Sequence, residues 1–142
     1  MDAPLGAGRV LGYDLACSLF FGRPPAYERT ERITHWCDAV LEDEGGEIVL
    51  ALERSRVRAP AGAERTIHDE REVARLSKLL SLPPRARPTQ LQVLERSAPH
   101  EKVVTVAGIL DELEPGSGFR SSARPRLVLR GDVHRPVVIV PS

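Results

Sequence analysis

Residues 36–42, Trp36-Cys37-Asp38-Ala39-Val40-Leu41-Glu42, and residues 47–54, Glu47-Ile48-Val49-Leu50-Ala51-Leu52-Glu53-Arg54, flank Asp43-Glu44-Gly45-Gly46. The paired glycines can take the positive φ that a tight hairpin requires, so the two flanks read as antiparallel strands. Residues 48–52 are apolar at consecutive positions rather than alternate ones. Such a strand needs cover on both faces, which a closed or wrapped sheet supplies.

Working outward, residues 91–96 and 102–113 flank Ser97-Ala98-Pro99-His100-Glu101. In the second segment Val104, Val106 and Leu110 share one face of a strand, while Val103, Thr105, Ala107 and Ile109 take the other. Gly108 interrupts it, which predicts a bulge or bend that curls a sheet. Residues 126–130 and 136–140 are two more strands, joined by Gly131-Asp132-Val133-His134-Arg135. Pro136 and Pro141 bracket the last strand and predict an edge or seam for it. One helix is expected. Asp69 can cap its start with Glu72 three residues on, and Val73, Leu76, Leu79 and Leu80 form an apolar stripe that Pro83 and Pro84 end. A lone amphipathic helix among strands plugs a barrel end or covers an open sheet face. Residues 55–65, 83–88 and 114–125 read as loops, the last of them mobile. The expected fold is mainly β: a small barrel-like (OB-like) antiparallel sheet with one amphipathic helix. It forms a single domain over residues 1–142, with a flexible N-terminus at 1–9.

Composition narrows the function classes. A chain of 142 residues with 42% hydrophobic content can bury a core. Its formal net charge of zero argues against a polyanion binder with a field over its whole surface. Charge is nevertheless uneven: from Glu114 onward, Arg120, Arg124, Arg126, Arg130 and Arg135 outnumber Glu114 and Asp132. Lys78 and Lys102 are the only lysines, a bias that fits the codon usage of a GC-rich bacterial genome. The apolar stretch Val10–Phe21 is broken by Gly12, Asp14 and Ser18, is too short to span a bilayer and lacks the marks of a secretory signal. The expected location is cytoplasmic, with Cys17 and Cys37 as free thiols.

Catalytic and metal chemistry find little footing. His35-x-Cys37 offers one close pair of soft ligands on alternate strand positions, with Cys17, His68, His100 and His134 elsewhere. A structural zinc site takes two such pairs, so whether His35 and Cys37 touch a metal stays open at this level, and no metal or cofactor is assigned. Nothing around Cys37 resembles a nucleophile turn, and no Gly-x-Ser-x-Gly is present. Glu42-Asp43-Glu44 reads as a solvated hairpin tip. Leu5-Gly6-Ala7-Gly8 lacks the third glycine of a phosphate-binding turn and precedes no helix. Phe119 beside Arg120, with Arg124 and Arg126, is an arginine-rich segment with an aromatic, the composition of many single-strand binders.

Several of these pieces together resemble a known family. Leu41-Glu42-Asp43-Glu44-Gly45-Gly46-Glu47-Ile48-Val49-Leu50 is similar to the LEDxxGxVxV hairpin of the GIDE-type, or beside-a-membrane, domain. That domain occurs in MULAN-like membrane-anchored E3 ubiquitin ligases and in many bacterial proteins. The helix at 73–82, the pair Leu94-Glu95-Arg96 and Val103-Val104-Thr105-Val106-Ala107-Gly108, and the closing strands at 126–129 and 136–139 follow in the family's order. Gly22-Arg23-Pro24-Pro25-Ala26-Tyr27 resembles its SGRPxxxY entry strand, so the likeness covers residues 22–142. The segment between Tyr27 and His35 is shorter than the family's. The resemblance implies a small β-barrel-like interaction module without catalytic residues. In the ligases, ubiquitin transfer belongs to a RING finger and anchoring to membrane helices; two cysteines cannot build a RING, and no segment here can span. The expectation is therefore a non-catalytic protein-binding module, with another protein as partner and association with a membrane protein allowed. The alternative is an oligonucleotide-binding barrel. In either case Phe119, Arg120, Arg124 and Arg126 are the candidate partner-binding residues.

Overall fold

The computed structural model of the chain describes residues 1–6, 8–22, 27–113 and 126–142. In chain order these form β1 (Val10–Phe21), β2 (Tyr27–Trp36), β3 (Ala39–Asp43), β4 (Gly46–Leu50), β5 (Val57–Arg58) and β6 (Arg65–Ile67). The helix α1 (Glu70–Leu79) and a 3-10 turn at Pro84–Ala86 follow. Then come β7 (Gln90–Pro99), β8 (Val104–Ala107), β9 (Ile109–Leu113), β10 (Arg126–Arg130) and β11 (Val137–Pro141). The fold is mainly β with one α-helix, as the sequence predicts. The strands lie in three sheets, ordered β2-β1-β7-β6, β3-β4-β10-β9 and β5-β11-β8. Among the described residues no closed barrel is found, and the sheets are not purely antiparallel: β4 with β10, and β5 with β11, pair in parallel.

Contacts divide the chain into two compact units, Met1–His35 with Ala61–Ser97, and Trp36–Pro60 with Ala98–Ser142. The first unit holds the four-stranded sheet of β1 and its neighbours, and α1. Val10–Phe21, whose apolar character raises the membrane question, is its longest strand. Alternate residues Tyr13, Leu15, Cys17 and Leu19 enter a core with Ile67, Leu91 and Val93, and α1 covers it through Val73 and Leu76. Leu15, Leu19, Leu76 and Leu91 are fully buried, each stabilising by roughly 2 kcal/mol. Asp14, also buried, lies one position out of phase with that face. Its carboxylate accepts from Arg32 Nε at 2.7 Å, from Arg32 Nη2, and from Thr34 Oγ1 at 3.3 Å.

The ends of α1 follow from its sequence. Asp69 accepts from the backbone N–H groups of Arg71 (2.9 Å) and Glu72 (3.1 Å), the expected cap. At the other end Leu82 N–H bonds Ser77 O at 2.9 Å and Ser81 N–H bonds Lys78 O at 3.0 Å, with Ser81 at φ +57°. This Schellman closure stops the helix before Pro83 is reached. The N-terminal residues are tied into the same unit. Val10 N–H bonds Met1 O, Ala3 N–H bonds Gly8 O, and Arg75 and Arg65 donate to the carbonyls of Pro4 and Leu5.

In the second unit the β3–β4 hairpin forms at the expected turn. Asp43 pairs with Gly46, whose φ is +125°, and the Asp43 carboxylate accepts from Gly45 N–H at 2.7 Å. The strands flanking it are shorter than 36–42 and 47–54. Trp36 ends β2, and β4 stops at Leu50. The apolar run continues inward, with Leu50 and Leu52 buried.

Pairing farther along the chain departs from sequence order. Segments 104–107 and 109–113 are one run interrupted at Gly108, but β8 pairs with β11 and β9 with β10. Likewise β4 and β5 run beside β10 and β11 in turn. Three long segments therefore break at one level, at residues 51–56, at Gly108 and at residues 131–136. Backbone atoms crowd this seam. A Cβ on Gly131 would stand 2.3 Å from Val137 N and 2.8 Å from Arg56 O, and one on Gly108 2.9 Å from Arg130 O. Across it, Val137 N–H bonds Arg56 O (2.8 Å) and Gly131 N–H bonds Ser55 Oγ (2.9 Å).

The seam corrects three expectations. The break at Gly108 shifts the inward phase by one residue, so Ile109 is half-buried beside Val104 and Val106 while Leu110 is 53% exposed. β11 is the central strand of its sheet rather than an edge. Its prolines are tolerated because they stand just before and at the end of the strand, where a missing N–H costs little. Segment 55–65 is not all loop, since it holds β5 and the start of β6.

Candidate interaction surface

Of the residues singled out from sequence, Phe119, Arg120 and Arg124 lie outside the described residues. Arg126 opens β10, where its backbone pairs with Leu113. His35 and Cys37 do not share a strand: His35 is on β2, and Cys37 follows its end as a half-buried free thiol. The His35 ring instead lies against Tyr13, centroids 6.0 Å apart and tilted by 57°. Among the described residues no cluster of three or more His, Cys, Asp or Glu is placed to hold a metal ion. Cys17 is buried in the first core, where burial and the nearby Glu31 carboxylate push its thiol up to about 11. It therefore resists forming the thiolate that nucleophilic chemistry needs.

Two polar features of the first unit carry their own electrostatics. Glu95 sits on the core side of β7, in phase with Leu91 and Val93, and is buried. Burial raises its carboxyl above the ordinary value, against the opposing pull of the Leu5 backbone and Arg65. Its Oε1 has no partner among the described residues. At the end of α1, a hollow of about 400 Å³ is lined by Lys78, Ser81, Leu82, Pro83, Pro84 and Arg87. Lys78 and Arg87 are the cations of a mostly apolar lining, and among the described residues no carboxylate belongs to it.

The second unit presents apolar surface. Val40, Val103, Leu110, Val133 and Val140 are each at least half exposed, and all five belong to it. Strand register gathers part of this set. Thr105 stands opposite Val140, and Ala107 opposite Val138, on the outward face of the β5-β11-β8 sheet. Val103 joins them, since Ser142 N–H bonds its carbonyl at 3.2 Å, and it is 78% exposed. On the inward face of the same sheet Ile139 is buried opposite Val106.

The rim of this face is a strand edge. β8 and β9 each end the order of their sheet, so residues 104–113 are paired on one side only among the described residues. The edge carries Leu110 and is interrupted only at Gly108. A long, apolar, one-sided edge is the geometry that receives an added strand. Sequence alone could place Val103 and Leu110 on a strand, but not at an edge, because that depends on which strands pair across the unit.

No family model, no curated protein and no solved structure matches this chain.

Proposed function

We propose that the chain is a non-catalytic protein-interaction module of barrel-like type, related to the GIDE-type domain, that docks another protein on its second unit. The observation that carries this reading is the outward face of Val103, Thr105, Ala107, Val138 and Val140, continuous with the one-sided edge at 104–113. Single exposed valines are ordinary on a protein surface; several on one sheet face beside an unpaired edge mark an interaction site. The barrel-like description is supported by the strands of the second unit running on from one sheet to the next across the seam. No helix of the described residues is long and apolar enough to cross a membrane, so attachment through a membrane-bound partner remains part of the proposal, as does a cytoplasmic location.

The test is affinity capture from the native cell with mass spectrometry, run in parallel on the wild type and on Val140→Lys and Leu110→Lys. Both side chains are about half exposed, so the variants should fold. The expected result is a protein retained by the wild type and lost from both variants. Equal recovery by all three overturns the assignment of this surface.

The second reading, an oligonucleotide-binding barrel, draws its support from the arginine excess after residue 114. It requires salt-dependent single-strand binding that disappears on reversing Arg120, Arg124 and Arg126 to glutamate.

A further inference from the structure

Leu52-Glu53-Arg54-Ser55-Arg56-Val57-Arg58-Ala59 carries an arginine at every second position from 54 to 58. The structure gives that spacing a direction. Arg54, Arg56 and Arg58 are exposed, whereas Ser55 and Val57 are half-buried and Leu52 and Ala59 are buried. Ser55 is turned toward the seam, where its hydroxyl accepts from Gly131 N–H and donates to Ala51 O. Arg54 stands in a turn, Arg56 directly before β5 and Arg58 at its end; alternate Cα atoms along a strand are about 6.6 Å apart.

The same seam brings further cations alongside. Backbone atoms of Arg56, Gly131 and Pro136 converge there, which brings the chain neighbours Arg130 and Arg135 near Arg56. Arg130 is committed to Asp111. Among the described residues no carboxylate forms an ion pair with Arg54, Arg56, Arg58 or Arg135. The nearby acids are largely engaged: Asp132 accepts from the N–H groups of His134 and Arg135, and Asp38 from Glu53 N–H. Among the described residues neither these carboxylates nor that of Glu53 is ion-paired with the four guanidinium groups. Arginines on a short edge also discourage unwanted strand pairing. That role needs one or two charges, not four converging from two segments.

We propose that this ridge of Arg54, Arg56, Arg58 and Arg135 binds an extended acidic polypeptide segment of the partner, one with Asp or Glu at alternate positions. This rests on the reading of the second unit as a protein-interaction module and names the chemistry of its partner. Three observations favour a polypeptide over a nucleic acid. The Arg56–Arg58 repeat equals the repeat of alternate residues in any β-strand, so carboxylates meet guanidinium groups in register without distortion. β5 ends its sheet, so Val57, between the two arginines, can offer backbone groups to an added strand. Arg58 is the cross-strand partner of Val138, so the ridge runs directly into the apolar outward face. A segment alternating acidic and apolar residues matches that mosaic, whereas a phosphate backbone leaves its apolar part unused.

The test is fluorescence anisotropy on the full chain with three labelled probes. One is a peptide alternating Glu with Val, one has the same composition with the acids in a single block, and one is an oligothymidylate of equal charge. The alternating peptide should bind most tightly, with an affinity that falls as salt is raised. Arg56→Glu with Arg58→Glu should weaken it about tenfold or more, and Arg56→Lys with Arg58→Lys by less. Far-UV circular dichroism verifies folding, and all four side chains are exposed. Tighter binding of the oligothymidylate, equal binding of both peptides, or no binding of the alternating peptide up to about 1 mM each overturns the proposal. The Val140→Lys and Leu110→Lys captures separate the two failures. If those variants lose a partner that the arginine variants keep, the module stands and the acidic segment does not.

Discussion

Gly131→Ala is the substitution to which the second unit should be most sensitive, although it adds only one methyl group. The added carbon would stand 2.3 Å from Val137 N, 2.8 Å from Arg56 O and 2.8 Å from the Pro136 carbonyl carbon. Those are all backbone atoms, so no side chain can swing aside. Restoring ordinary contact distances moves one strand by roughly 1 Å. That movement parts Val137 N–H from Arg56 O and Gly131 N–H from Ser55 Oγ. Two hydrogen bonds at about 1 kcal/mol each, with overpacking at about 1–3 kcal/mol, give a loss of roughly 3–5 kcal/mol. Gly46→Ala is the control. Its Cβ meets nothing within 4 Å, but its φ of +125° costs about 1 kcal/mol. Urea unfolding followed by fluorescence of Trp36, the only tryptophan and a buried residue of the second unit, reads both variants. With a slope of about 1–3 kcal/mol/M, the Gly131 variant should lose at least about 1 M in midpoint, clearly more than the Gly46 variant. A midpoint equal to that of the wild type, or one lowered no more than by Gly46→Ala, would refute the description of the seam as a rigid backbone crossing.

Other outcomes follow from the first unit. Ser81→Gly should raise its stability by about 1 kcal/mol, because Ser81 holds a left-handed φ at the close of α1; helix ellipticity during thermal unfolding measures this. At neutral pH a thiol reagent should label the half-buried Cys37 and leave Cys17 untouched until the chain unfolds; fast labelling of both would contradict the buried, raised thiol at Cys17. Glu95 binds its proton more tightly in the folded chain than in the unfolded one. Its contribution is therefore present below the ordinary carboxyl range and is lost as pH rises through its raised value. Glu95→Gln should accordingly stabilise the unit in neutral solution and flatten the pH dependence of its urea midpoint; a lower midpoint at neutral pH would count against this account.

Local chemistry was readable from the sequence wherever the answer depended on residues close in the chain. Asp69 and Glu72 marked where α1 begins, Gly45-Gly46 marked a hairpin, and Gly108 marked an interruption. What the interruption does could not be read, because it depends on partners 13 to 37 residues away choosing between two sheets. Nothing in the segments around residues 97–101 or 131–135 forbids the hairpins their positions suggest. Parallel pairing of β4 with β10 leaves no local trace either. The candidate surface shared that limit, since an edge is defined by a strand that is missing. The Arg54, Arg56, Arg58 alternation was visible in the sequence, but within a stretch read as a loop, where period two has no meaning. Only the burial pattern of the folded chain, with all three arginines exposed and Ser55 and Val57 half-buried, gives the alternation a side.

The two compact units are interleaved along the chain, which crosses between them after His35, Pro60 and Ser97. No single proteolytic cut can release either unit as one uninterrupted piece, and no truncation yields the second without residues 61–97 of the first. During synthesis the first unit has all its residues once Ser97 has emerged, while β4 and β5 wait for partners 79 and 80 positions downstream. β3 and β4 can form their hairpin early, but β4 and β5 find β10 and β11 only when the C-terminal residues arrive. Such long-range closure is slow. The second unit should therefore be the last to acquire protection from amide exchange, and the first to reveal a chain stalled on its way to the native state.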